Sequence, residues 1–447
     1  MKRIVLFIVP MVAVLLGMSA CKGNNPEQGE KKARYAILVY GNAGGSMDSY
    51  IENLWEQTKP LMTNRDVRLG FFYKYGKQTE GAEQKYGRPG DLLEFELTSE
   101  TNLDSLRYTA AMSGWEDYEL YDPELLQITI DLMAKDMPAE NYILLIWGHG
   151  GGFDPTTDYP KDLRDGQKKA RQGVVYDEWF PTGLDGQHGE GMSMYELSEA
   201  IRTSKVPHFK AIFFHNSLIG NMETLDEIYD KADYLFSSMH ALFSDGAMIG
   251  NLIKGLYANT DFELAGKAAL TDIPNWENEY QEARANGDMN FLKSSEFAAL
   301  EPVFARLRTR LVELYPTQSA AIDEAFDKTY KVTSEHPFFD ALDYANQLAK
   351  ATQDPQLQTI AADMKTAFDR MWISRRHLVY NPQAPLNEFT LSLFMMDKQA
   401  YAQQVSTYQY TCKDAYEYSR FHKQTGWGNW INTNTHHAQG NPVGQVL

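Results

Sequence analysis

Two apolar runs in this chain stop abruptly at polar residues, and together they limit the folds open to it. Asn141–Gly152 reads NYILLIWGHGGG and Ala211–Asn221 reads AIFFHNSLIGN. A run without polar alternation suits a strand covered on both faces, the condition of a parallel sheet between helices. In such sheets ligands bind beyond the C-terminal strand ends. His149 stands at one such end, in a glycine-rich loop, and Ser217 at the other, after His215 and Asn216. If the two strands are neighbours, a histidine meets a hydroxyl, the pairing of a hydrolase site.

The surrounding sequence supports that sheet. Further strands are expected at Tyr35–Tyr40, Val67–Tyr73 and Leu92–Leu97, with the two runs forming strands at Ile143–Trp147 and Phe209–Phe214. Helices are expected at Ser46–Gln57, Ser99–Ser113, Asp122–Lys135 and Ser193–Ile201, the last opened by Ser193 and Glu196 in capping-box spacing. Met133 falls on an apolar helix face and is assigned to the core. Strand and helix alternate, so residues 34–251 read as an α/β domain with a mostly parallel sheet. A chain of 447 residues is long enough for a second region. Residues 252–447 read as mainly helical, at Phe262–Thr271, Pro302–Leu314, Ser319–Tyr330, Phe338–Thr352 and Thr359–Ser374. Additional strands are expected at His377–Tyr380 and Phe389–Met395. Trp427 and Trp430 are assigned to packing of the terminal segment rather than to a sugar groove. Between Phe153 and Gly191 the rhythm breaks in a long loop rich in Asp, Gly, Lys and Pro, with a short strand at Gly173–Tyr176.

The first twenty residues have another purpose. Lys2 and Arg3 precede the apolar run Ile4–Leu16, which has the length of a signal-peptide core and is short for a membrane span. Small residues then lead to Cys21, as in bacterial lipoprotein signals. Residues 1–20 are expected to be a signal peptide and 21–33 a lipidated tether, acylated at Cys21. The product would be anchored in the cell envelope, periplasmic or surface-exposed. Its remaining cysteine, Cys412, would have no disulfide partner within the chain. Removal of Lys2 and Arg3 takes the formal charge from −18 to −20, which argues against nucleic acid as a partner.

Gly150 and Gly151 permit a sharp turn and can present N–H groups to an oxyanion, although glycines after a buried strand also serve turns alone. No lysine and hydroxyl close the loop as in a phosphate-binding pattern. Ser217 lacks the glycine-flanked elbow of ordinary esterases, and a bare serine at a strand end is commonly a structural cap.

The stretch PAENYILLIWGHGGG, then GMSMYELSEAI, then HFKAIFFHNSLIGNMETLDEIYDKADYLFSS, resembles the clostripain-type cysteine peptidases. AILVYGNAGGSMDSYIENLWE resembles their first strand and helix, and the terminal TGWGNWIN also fits. The resemblance implies a caspase-like three-layer α/β/α sandwich, a histidine–cysteine dyad and cleavage after basic residues. His149 falls on the family histidine. Ser217 stands where the family has its nucleophilic cysteine, and His215 where it has an aspartate that receives arginine or lysine. Met239 and His240 replace acidic residues usual after the serine pair. His215 and Asn216 are therefore substrate-pocket candidates. The residues themselves call for no metal or cofactor. The resemblance alone raises calcium, and also autocatalytic nicking, for which Lys168, Lys169 and Arg171 lie in a suitable loop.

A thiol ionises readily, whereas a serine hydroxyl needs an oriented base. Asp154 is near His149 in sequence, but nothing places it behind the ring. The expectation is thus a peptidase-fold lipoprotein with a degenerate centre that binds peptide or an exported protein. The alternatives are a hydrolase using Ser217 with His149, and a structural envelope lipoprotein.

Overall fold

The apolar run Ala33–Asn42 forms strand β1, an interior strand of the sheet on which the rest of the chain is built. The computed structural model describes residues 32–42, 48–74, 92–101, 120–153, 155, 175–176, 191–242, 246–283, 285–332, 337–380, 389–403 and 411–436. The following strands are β2 (Val67–Lys74), β3 (Leu92–Leu97), β4 (Ala139–Trp147), β5 (Val175–Tyr176) and β6 (Gly191–Met192). They continue as β7 (Phe209–His215), β8 (Ala232–Ser237), β9 (Gly287–Lys293), β10 (Phe338–Asp340), β11 (Trp372–Leu378) and β12 (Ser392–Phe394). An eight-stranded sheet has the order β11-β9-β8-β7-β4-β1-β2-β3. Pairing is parallel from β2 through β1, β4 and β7 to β8, and antiparallel at β3, β9 and β11.

Helices cover both faces. They are α1 (Asp48–Thr58), α2 (Pro123–Asp136), α3 (Met194–Thr203), α4 (Met222–Ile228), α5 (Ala247–Ala258) and α6 (Phe262–Ala269). Beyond them come α7 (Trp276–Ala283), α8 (Glu301–Lys328), α9 (Ala341–Thr352) and α10 (Pro355–Met371). Alternate residues of each strand enter opposite cores. Leu144, Ile146, Ile212 and Phe214 pack with α2, α3 and the C-terminal helices, while Leu145, Trp147, Ala211 and Phe213 pack with α1, α5 and α6. Both faces are buried, which explains the continuous apolar runs, and the result is the three-layer α/β/α sandwich expected. Met133 is 4% exposed within the first core.

The central strands and α3 follow the sequence reading closely. Ser193 Oγ accepts the Glu196 N–H, and Glu196 accepts the Ser193 N–H at 3.0 Å, completing the capping box. Elsewhere tertiary pairing overrides local pattern. The sheet crosses the 251/252 boundary: β9 and β11 come from beyond it, and Ala33–Leu447 forms one compact unit. The helix expected from Phe338 starts instead at Ala341, because Phe338–Asp340 pairs with β12 and Asp340 accepts the Asp343 N–H as a cap. The two helices expected on either side of residues 315–318 are joined in α8, whose helical conformation breaks at Gln318 (φ −128°, ψ 24°), inside that expected gap. β11 begins at Trp372, inside the segment expected to be helical. The helix expected over Ser99–Ser113 lies largely outside the described residues.

On α4, Asp226 is fully buried and neither carboxyl oxygen has a hydrogen-bond partner. Burial, reinforced by Glu301 and only partly opposed by Arg420, pushes its carboxyl up to about 8. A raised folded-state value means stability present below the unfolded carboxylate range is lost as pH climbs toward 8. Asp226→Asn removes that titration. Thermal melts between pH 5 and 8.5 are expected to show a falling Tm for the parent and a flatter profile for Asp226→Asn, with the variant the more stable at pH 8.5.

Candidate functional site at the sheet rim

Register brings the two opening motifs together. β4 and β7 are adjacent and parallel, and Trp147 pairs with His215. His149 and Ser217 each lie two residues beyond that pair, where both chains leave the sheet and Gly148 turns at φ 141°. Asn216 fastens the two ends: its Nδ2 donates to the carbonyls of Gly148 and His149, each at 3.1 Å. Gly150 lies so close to the serine turn that a Cβ there would stand 2.4 Å from the Ser217 carbonyl oxygen. The turn itself is tight, with Leu218 in the left-handed region at φ 66°. That conformation is held by Asn221 Nδ2 on the Leu218 carbonyl and by the Leu218 N–H on the His240 carbonyl, both at 3.1 Å.

Ser217 and His149 are half-buried. The Ser217 Oγ accepts the backbone N–H of Leu242 at 3.1 Å, and no hydrogen bond joins it to the His149 ring. His215 is 1% exposed, with neither ring nitrogen hydrogen-bonded. It stacks on Trp147 with centroids 4.1 Å apart and planes 7° apart. Burial lowers its imidazole to about 3, so it is neutral in ordinary buffers. Asn216, also 1% exposed, is turned inward and spends its amide N–H groups on the histidine loop. Gly150 and Gly151 are buried beside it.

Sequence reasoning did not reach the group that fixes the serine's other neighbour. Asp288, on β9 and fully buried, accepts from Ser238 Oγ (2.9 Å), Met239 N (3.1 Å), His240 N (3.1 Å), His240 Nδ1 (2.8 Å) and Asn290 Nδ2 (2.6 Å). Burial pushes this carboxyl up, but the hydrogen bond and charge of His240, with His377 and Ser238 adding, hold it below the usual carboxylate range. An ionised carboxylate only accepts, so His240 Nδ1 carries the proton. His240 Nε2 lies 2.8 Å from Tyr330 Oη, which also accepts from Asn286 Nδ2 at 2.7 Å. The available signal was the period-two placement of Asp288 and Asn290 on one face of an otherwise apolar segment.

Trp427 and Trp430 are buried, and Trp427 Nε1 donates to the Phe394 carbonyl at 3.3 Å, so both serve packing. Cys412 is buried as well. Cys21, Asp154, Lys168, Lys169 and Arg171 lie outside the described residues. Among the described residues no group of three or more His, Cys, Asp or Glu is placed to hold a metal ion. Nor is any described helix long and apolar enough to cross a membrane.

A mostly parallel sheet sandwiched by helices, with His149 and Ser217 just beyond adjacent strand ends, is an α/β architecture with its candidate site where such sheets bind ligands. The chain matches the clostripain family over residues 110–433 and belongs to it. It is similar in fold to a secreted C11 cysteine protease from Bacteroides thetaiotaomicron, solved with an irreversible peptide inhibitor. That similarity has 13% identity and a TM-score of 0.58, over 89% of this chain and 100% of that one. An inactive zymogen C11 protease from Parabacteroides distasonis aligns with 17% identity and a TM-score of 0.57, over 89% and 99% of the two chains. Comparison with curated proteins finds no match.

Gly150→Ala is expected to force the histidine loop off the serine turn, since the atom it meets is backbone. Overpacking of this kind costs about 1–3 kcal/mol. Urea denaturation should show that loss, and an unchanged midpoint would mean the two turns are not in close contact.

Proposed function

We propose that this chain is a lipid-anchored envelope protein that uses the cleft of a peptidase fold to bind peptide or another exported protein without cleaving it. The observation that carries the reading is the state of Ser217. Its oxygen accepts the Leu242 N–H and is not hydrogen-bonded to His149. A serine hydroxyl with no hydrogen bond to an imidazole lacks a base already placed to take its proton, which supports binding over cleavage. His215 supports the same conclusion. A neutral, buried imidazole stacked on Trp147 supplies no negative charge for a lysine or arginine side chain. His149 and the backbone N–H groups of Gly150 and Gly151 would then serve as contacts for a peptide carbonyl.

One observation favours a second reading, hydrolysis by Ser217 with His149: both residues follow adjacent strand ends, and Asn216 ties the two loops together. The two readings separate in one assay. Purified protein is offered a broad peptide and ester library beside His149→Ala and Ser217→Ala. Binding of specific peptides without turnover is the expected result. Turnover lost in either variant establishes the hydrolase instead, and absence of both binding and turnover leaves a structural role.

The anchor rests on Lys2, Arg3, the apolar run Ile4–Leu16 and Cys21. Cells given a labelled fatty acid should incorporate it into the parent protein and not into Cys21→Ala, and the variant should leave the membrane fraction. Label retained by Cys21→Ala would overturn the anchor.

A further inference from the structure

We propose that Asp288 is a positioning residue for side chain 217: its buried carboxylate holds the segment Ser238–Leu242 so that the Leu242 N–H is delivered to the Ser217 oxygen, making that point of the cleft a preformed anion-stabilising position. This deepens the binding reading above and rests on it only for the nature of the ligand, not for the geometry.

Two sets of hydrogen bonds carry the inference. The first gathers the segment onto Asp288. The N–H groups of Met239 and His240, the Ser238 hydroxyl and the His240 ring all converge on one carboxylate, with Asn290 completing its shell. The second joins the same segment to the serine turn. The Gly220 N–H donates to the Ser238 carbonyl at 2.7 Å, the Leu218 N–H to the His240 carbonyl at 3.1 Å, and the Leu242 N–H to Ser217 Oγ at 3.1 Å. Asp288 and Ser217 thus sit on opposite sides of one short stretch of backbone. Tyr280 Oη adds a bond to the Ala241 carbonyl at 2.9 Å, fixing the stretch just before Leu242.

The chemistry explains why such an arrangement has a use. Burying a carboxylate is costly unless donors replace its water, and five donors do so here. Apart from the Asn290 amide, those donors come from the Ser238–His240 segment. A backbone N–H aimed at a side-chain oxygen stabilises negative charge there, and it makes a neutral hydroxyl a stronger donor. Ser217 gains the second effect. A more acidic group in the same place would show the first.

That difference gives a readout independent of any ligand. Ser217→Cys places a thiol at the end of the Leu242 N–H. The rate of its alkylation by iodoacetamide against pH, read on the peptide containing position 217 by mass spectrometry, reports the thiol pKa. An unperturbed thiol titrates near about 8.5. The single variant in the full chain is expected to titrate at least one unit lower, so that its thiolate fraction at pH 7 rises by about eightfold. Asp288→Asn, added to Ser217→Cys, is expected to abolish most of that gain. Ser238→Ala, a milder change, should cost several-fold and decides alone if Asp288→Asn fails to fold by circular dichroism. His149→Ala in the same background isolates the imidazole's share. A thiol of ordinary pKa overturns the proposal, as does a depressed value that depends on His149 and is untouched by Asp288→Asn and Ser238→Ala in folded protein. Loss of peptide binding with the thiol result intact would instead overturn the proposed function alone.

Discussion

The parallel pairing of β4 with β7 is the constraint on which the rim depends. It fixes Trp147 against His215, the last pair before both chains turn out of the sheet toward His149 and Ser217. Side chains alternate along a strand, so a slip of one residue would send His215 to the opposite core and carry Ser217 away from His149. The apolar content of both strands makes such a slip prohibitive, because Leu144, Leu145, Ile146, Ile212, Phe213 and Phe214 are all fully buried. Asn216 and Gly150 then act as local locks, one by hydrogen bonds and the other by allowing two backbones to touch.

The rim holds two buried histidines in opposite electrical settings. His215 has aromatic rings for neighbours and no hydrogen-bond partner on its ring, and burial keeps it neutral. His240 lies in an ordered chain from Asn286 through Tyr330 to the Asp288 carboxylate. Identical side chains therefore differ in purpose because of what surrounds them: one is a flat packing surface, the other joins strand β9 to the loop behind Ser217. Residue identity alone distinguishes neither.

That distinction marks where the sequence was legible and where it was not. Tyr35–Tyr40, Val67–Tyr73 and the two opening runs announce strands because both faces are buried and no polar residue interrupts them. Ser193 and Glu196 announce a helix start because the cap is a local device. β8 and β9 gave no comparable signal. ADYLFS is short, and GDMNFLK carries Asp288 and Asn290 inside a strand, a pattern that makes sense only once His240 and Ser238 are brought to it by a distant connection. His149 and Ser217 were readable as positions at strand ends. The Leu242 amide was not, because a backbone donor has no sequence signature.

The order of the strands has a consequence for how the chain reaches this state. β8 takes its second neighbour from β9, more than fifty residues later, and β9 takes its own from β11, nearly eighty residues beyond that. Until those segments arrive, β8 is a bare edge of apolar backbone ready to pair with any strand it meets. Asp288 comes in with β9, so the turn around Ser217 acquires its anchor only when that edge is closed. Anchoring of the Ser217 turn and closure of the β8 edge therefore depend on the same strand, and a chain interrupted before Gly287 would lack both.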